Sequence, residues 1–215
     1  MHVIGASSVN RSTVRSPLLV SSRTAMVAGQ LSEWARSLFG KNGSRTETDV
    51  MHSLQQQNDA ERVDVWAEKR PSGSAETSSL LLALRNIGVV RSVDAVYLPL
   101  SEAVHAQWHI GPNSEALSSV QHGGLSSLML DETFGIAYYR AVGHGRNRGV
   151  GYTANLTCDF RAPLPAGSSP IVSTWVESID GRKVSLRGTI STGSGERSTK
   201  YVDASCLFIV ADKSN

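Results

Sequence analysis

Apolar positions are spread unevenly along the chain and divide it into three stretches. From Val27 they recur at Leu31, Trp34 and Leu38, the spacing of one helix face, and stop at Gly40. Residues 41–75 are polar and carry Gln55-Gln56-Gln57 and Pro71-Ser72-Gly73-Ser74. They read as a linker, with room for one helix between Thr48 and Lys69 and little to give a core. A folded domain is expected over 76–215.

Within that domain Thr77 is placed to N-cap a helix through Leu80, Leu81, Leu84 and Ile87, stopped at Gly88. A strand is predicted at about 103–110, closed by Gly111-Pro112-Asn113. The long helix of the second half spans about 122–141. Its apolar residues (Leu125, Leu128, Met129, Leu130, Phe134, Ile136 and Ala137) lie all round the axis, as in a rod enclosed on most sides. Strands follow at 149–161, 171–179, 184–191 and 200–210. They are punctuated by the Ala162–Gly167 break, the Asp180-Gly181 hairpin signal and a glycine-rich turn at 192–195. One enclosed helix followed by a strand meander predicts an α+β fold, a curved antiparallel sheet wrapped around one central helix, with an N-terminal extension.

Composition narrows the function. A length of 215 residues suits one domain plus an appendage, and a net charge of +2 with scattered basic residues gives no nucleic-acid stripe. No apolar run is long enough to span a bilayer. Cys158 and Cys206 lie in strand-like surroundings and read as buried free thiols of a reducing compartment. His105 and His109 share a strand face without a third ligand, so no metal site is expected. Residues 1–32 contain no acidic residue but have Arg11, Arg15, Arg23 and seven serines, the composition of an organelle transit segment. A targeting segment with a short helix is therefore expected over 1–40, with a mitochondrial location first and a cytoplasmic one otherwise.

The chemistry concentrates at Gln121–Gly135. His122-Gly123-Gly124 opens the central helix, where first-turn amides lack intrahelical acceptors and the helix dipole favours negative charge. Asp131 lies nine positions after His122, inside an apolar helix, where a carboxylate is costly unless it has a partner or a task. Amide donors and an acid together fit attack on an acyl carbonyl. Glu132 adjoins Asp131, and the helix face alone does not separate the two.

Taken in order, His122-Gly123-Gly124 with Asp131 and Thr133, Thr153-Ala154-Asn155-Leu156 and Asp180-Gly181-Arg182-Lys183 resemble the hotdog-fold acyl-CoA thioesterases related to phenylacetate-pathway enzymes. The resemblance covers about 100–210. It implies a homodimer or homotetramer with sites at the subunit interface, and hydrolysis of an acyl-CoA thioester to a free acid and coenzyme A. It implies Asp131 as general base or nucleophile, strengthened by burial, and the amides of Gly123 and Gly124 as oxyanion hole. Thr153 would orient the water, His122 would hydrogen-bond the backbone, and Thr133 would back-bond the helix. Coenzyme A enters as part of the substrate, with no separate cofactor, and its phosphates would meet Arg161, Arg182, Lys183, Arg146 or Arg148. The chain departs from the pattern at Ala162, where relatives carry a basic residue, and at Ala116, where some place an asparagine. Those departures keep open a non-catalytic hotdog subunit that binds acyl-CoA or acts as a scaffold. A hotdog hydratase has no matching motif here.

Overall fold

A computed structural model describes residues 47–66, 80–117, 119–144, 149–192 and 198–211. The expected targeting segment and the helix over 27–38 lie outside them. Seven antiparallel strands form the main sheet: β1 (Glu61–Val63), β2 (Val90–Leu98), β3 (Ala103–Ile110), β6 (Gly151–Phe160), β7 (Ile171–Asp180), β8 (Lys183–Thr192) and β9 (Thr199–Val210). Their spatial order is β1-β2-β3-β7-β8-β9-β6. The short strands β4 (Glu115–Leu117) and β5 (Val120–Gln121) pair separately, just before the central helix. Helices α1 (Glu47–Gln55) and α2 (Leu80–Asn86) precede β1 and β2, and α3 (Gly123–Tyr138) is the central rod. This is the predicted arrangement, a hotdog fold.

The apolar surface of α3 is why the sheet curls around it. Met129, Leu130, Phe134 and Ala137 are fully buried, and the helix packs across β3, β7 and β8. One close approach is sterically fixed: a Cβ at Gly188 on β8 would stand 2.9 Å from the Phe134 ring. Polar groups beneath the helix are satisfied in series. Thr133 Oγ1 donates to Met129 O at 2.7 Å and accepts from Trp108 Nε1 at 3.3 Å, while Thr174 Oγ1 donates to Thr133 O. The back-bonding role expected of Thr133 is present.

Two parts of the expected layout change. Residues 47–66, read as polar linker with little core, supply α1 and the edge strand β1. Val50, Met51 and Leu54 of α1 form a second apolar cluster with Val96, Leu98 and Ile171 on the outer face of the sheet. Three apolar side chains among polar neighbours suffice because the opposing sheet surface is already apolar. The second change is β2, absent from the predicted elements. With α1 on one side and the main core on the other, most of its residues are buried, and the alternation that marks a half-exposed strand is lost. Elsewhere the agreement is close: the hairpin turn falls at Asp180-Gly181, with Gly181 at φ +54°.

Candidate active site

The candidate residues His122, Gly123, Asp131 and Thr153 lie along the open flank of α3 and on β6, the last strand of the sheet. His122 is the N-cap residue, in extended conformation, and its Nδ1 accepts a hydrogen bond from Gly124 N–H at 3.0 Å. Of the expected pair of glycine donors, the Gly124 amide is thus held by the histidine ring. The expected backbone bond of His122 is thus present, and it takes one of the two donors. Gly123, the first helical residue, keeps an amide without an intrahelical acceptor. It lines a cavity of about 350 Å³ together with Phe160, Arg161 and Pro163.

Asp131 sits two turns further on. Thr153 Oγ1 donates to its Oδ1 at 2.9 Å, so the two residues that the sequence singled out are brought together. Asp131 is half-buried rather than enclosed, because the strand beside it, β6, is open along one side. A bulge between Thr153 and Asn155 shifts the β6–β9 register. The extra residue lets Thr153 and Leu156 both share the helix-facing side of β6, which aims the hydroxyl at the acid. Sequence alone did not indicate the bulge.

Of the two free thiols expected to be buried, Cys206 is buried and Cys158 on the edge strand is half-buried. Burial first, then the charge of Asp131 and then Cys158, push the Cys206 thiol up to about 12. Cys206 therefore stays protonated at neutral pH and is no nucleophile. Glu132, the neighbour that helix geometry left undistinguished, is half-buried, and it is Asp131 that receives the Thr153 hydroxyl.

The expected phosphate ligands do not gather at one place. Arg161 follows the Phe160 end of β6, where it pairs with Asp203 at 3.2 Å and Asp159 at 3.4 Å. Lys200 first, and Arg161 after it, hold the Asp203 carboxyl below the usual range. Arg182 and Lys183 lie at the opposite end of the sheet, where Arg182 Nε donates to Val210 O. Val210 in turn pairs with Gly151 at the start of β6. The ten residues of β6 span about 30 Å, so Arg161 and the Arg182–Lys183 turn cannot share one phosphate of the same molecule. Arg146 and Arg148 lie outside the described residues.

The histidines set aside as metal ligands serve the sheet. His105 Nδ1 lies 2.8 Å from Ser173 Oγ, and burial lowers His105 from 6.5 to about 4. His109 bridges Asp94 at 3.0 Å and Ser169 at 3.2 Å. Among the described residues, no cluster of three His, Cys, Asp or Glu side chains could hold a metal ion.

The fold is that of a hotdog domain with an acid and a hydroxyl paired beside its central helix, and part of the chain is similar to known thioesterases. Residues 119–199 match the family model described as the Thioesterase superfamily. Among curated relatives, acyl-coenzyme A thioesterase THEM4 of Xenopus laevis is 37% identical over 46% of this chain and 41% of its own length. The Rattus norvegicus protein of the same name is 29% identical over 47% of this chain and 40% of its own. The matched stretch thus spans about two fifths of each relative. A solved thioesterase superfamily protein from Shewanella loihica is 19% identical, covering 51% of this chain and 84% of that one, with a TM-score of 0.42.

Proposed function

We propose that this protein hydrolyses acyl-CoA thioesters as a pair of copies joined through β6, each site taking its acid from one copy and its oxyanion donor from the other. The observation that carries the reading is a distance. Asp131 and Gly123 are eight residues apart on one straight helix, about 12 Å along its axis, whereas a reacting carbonyl must lie about 3 Å from both groups. One chain cannot bring them to the same thioester, and a second copy can. Most of β6 is exposed, it pairs on one side only with β9, and its residues 151–158 carry no charge. An antiparallel partner strand centred near Leu156–Thr157 sets Thr153 opposite the partner's Phe160. In each copy the Phe160 ring lies 3.5 Å from where a Gly123 side chain would begin. Asp131 and Thr153 of one copy then face the partner's Gly123.

In that arrangement Asp131 acts as general base. It takes a proton from water held by Thr153, and the water oxygen bonds to the thioester carbon. The carbonyl oxygen gains negative charge against the partner's Gly123 amide, at the positive end of a helix. Collapse of this intermediate breaks the carbon–sulfur bond. The coenzyme A thiolate leaves and is protonated, and the free acid remains. The base role needs no further group to cleave an anhydride. The phosphates of coenzyme A fall to the partner's Arg161, beside the partner's Gly123. The reading extends to a mitochondrial address carried by residues 1–40, tested by import of the full chain into isolated mitochondria.

Thiol release from acyl-CoA by wild type and Asp131→Asn tests the chemistry, with a fall of ~1,000-fold expected. Gly123→Pro tests the donor, since proline is tolerated at the first helical position and replaces the amide hydrogen with a ring carbon, while its Cβ meets Phe160 only at ordinary contact distance. A fall of ~100-fold or more is expected. Mixing the two inactive variants should restore roughly a quarter of wild-type turnover, because half of the random dimers carry one intact site. No recovery on mixing would place both groups in one copy and overturn the composite site. Tight acyl-CoA binding without thiol release in wild type would favour the non-catalytic subunit.

A further inference from the structure

Beyond Asp131 the open flank of α3 runs into an apolar cavity of about 610 Å³. Its walls are Gly135, Tyr138 and Tyr139 on the helix side and Val150, Gly151 and Phe208 on the sheet side. The covalent frame ties this cavity to the acid. Gly135 is one helical turn past Asp131, Gly151 is two residues before Thr153 on the same face of β6, and Phe208 is the ladder partner of Thr153. The cavity therefore begins about one helical turn from Asp131 and two residues from Thr153 in the same copy. On the other side, Gly123 and Arg161 of the partner receive the coenzyme A portion.

The wall is carbon. Tyr138 stacks on Phe208 with centroids 4.9 Å apart and planes at 10°, and its hydroxyl donates to Gly149 O at 3.0 Å. The polar end of the ring is thus engaged by backbone and the ring face is left as lining. The absence of a side chain at Gly151 makes room for that ring, which a Cβ there would overlap. No charged side chain contributes to this wall among the described residues.

We infer that this cavity receives the acyl tail, and that the substrate class is an unbranched apolar acyl chain of medium length rather than acetyl or a charged acyl group. The inference rests on the thioesterase reading above. Asp131 to Tyr139 spans about 12 Å, which an extended chain of on the order of ten carbons fills. At roughly 30 Å³ per carbon, borrowing the volume share of a water molecule, such a chain needs about 300 Å³, within the space present.

Thiol release across acyl-CoAs from two to sixteen carbons tests this. The kcat/KM should rise about three- to fourfold per carbon up to about ten and then level off, the gain expected for methylene burial. A flat series, or an optimum at two to four carbons, overturns the proposal while leaving hydrolysis intact. Val150→Trp, which fills the cavity mouth, should lower kcat/KM for decanoyl-CoA at least tenfold more than for butyryl-CoA; an equal effect on both counts against the assignment. Tyr139→Ala should shift the optimum to longer chains, and an unmoved optimum counts against it too. If no acyl-CoA is hydrolysed at all, the thioesterase reading fails, and equilibrium binding decides on the cavity. Decanoyl-CoA binding to Asp131→Asn at least tenfold tighter than acetyl-CoA supports the inference, and equal affinity overturns it.

Discussion

At one edge of the sheet β1 offers three residues, Glu61, Arg62 and Val63, and Glu61 is tied to Arg140 by an ion pair of 3.1 Å. At the other edge β6 offers ten, uncharged from Gly151 to Cys158, with Tyr152 and Phe160 more than half exposed. A short charged edge resists adding another strand, and a long uncharged one invites it. The protein guards one side and leaves the other open, and the open side is where Thr153 and the acid stand. Under the proposed function, the contrast makes the edge strand part of the chemistry rather than only of the frame.

Four measurements would break or sharpen this contrast. The largest effect is expected from charging the open edge. Asn155→Lys with Thr157→Lys should halve the mass seen by light scattering and lower thiol release on the order of a thousandfold, by removing both the partner's donor and its binding surface. Wild-type activity in the monomeric double variant would break the comparison. Next comes acid, which acts on the layer between the edges. His105 titrates near 6.5 when unfolded and at about 4 when folded. Below 6.5 the unfolded chain takes up a proton that the folded one refuses, so stability falls as pH drops from 6.5 to about 4 and then levels. The loss is on the order of 3 kcal/mol, read by denaturant titration and absent in His105→Gln.

A smaller effect belongs to the Phe160 end. Arg161→Ala should raise KM for acyl-CoA roughly tenfold with kcat little changed, and the difference from wild type should shrink as salt rises. The same substitution at Arg182 should do less, since its guanidinium is already bound to the Val210 carbonyl. The smallest is at the guarded edge. Arg140→Ala removes an ion pair whose carboxylate is half exposed and should cost about 1 kcal/mol or less, with unchanged mass and turnover.

Much of this architecture was legible beforehand, for identifiable reasons. The meander from β6 to β9 declares itself through alternation and through Asp180-Gly181, both local signals. The central helix declares itself through apolar residues on every side. What escaped depends on distant partners: β2 loses its alternation because α1 covers it, and α1 looks polar because its three apolar residues gain meaning only against Val96, Leu98 and Ile171. At the site, Asp131, Thr153 and His122 were readable from the order of the motifs. That His122 holds the Gly124 amide was not, since nothing in His-Gly-Gly tells which amide the ring accepts from. The separation of Gly123 from Asp131, on which the proposed two-copy site rests, was available by counting residues along a helix.

Gly188 sets how closely the central helix approaches the sheet, two strands away from Thr153. With only a hydrogen there, Phe134 settles onto bare backbone, and the whole rod sinks to the depth at which its acid meets Thr153. A single methyl at that point would lift the rod by a few tenths of an ångström and loosen a contact it never touches. The site's alignment is set from below, by an atom that is missing.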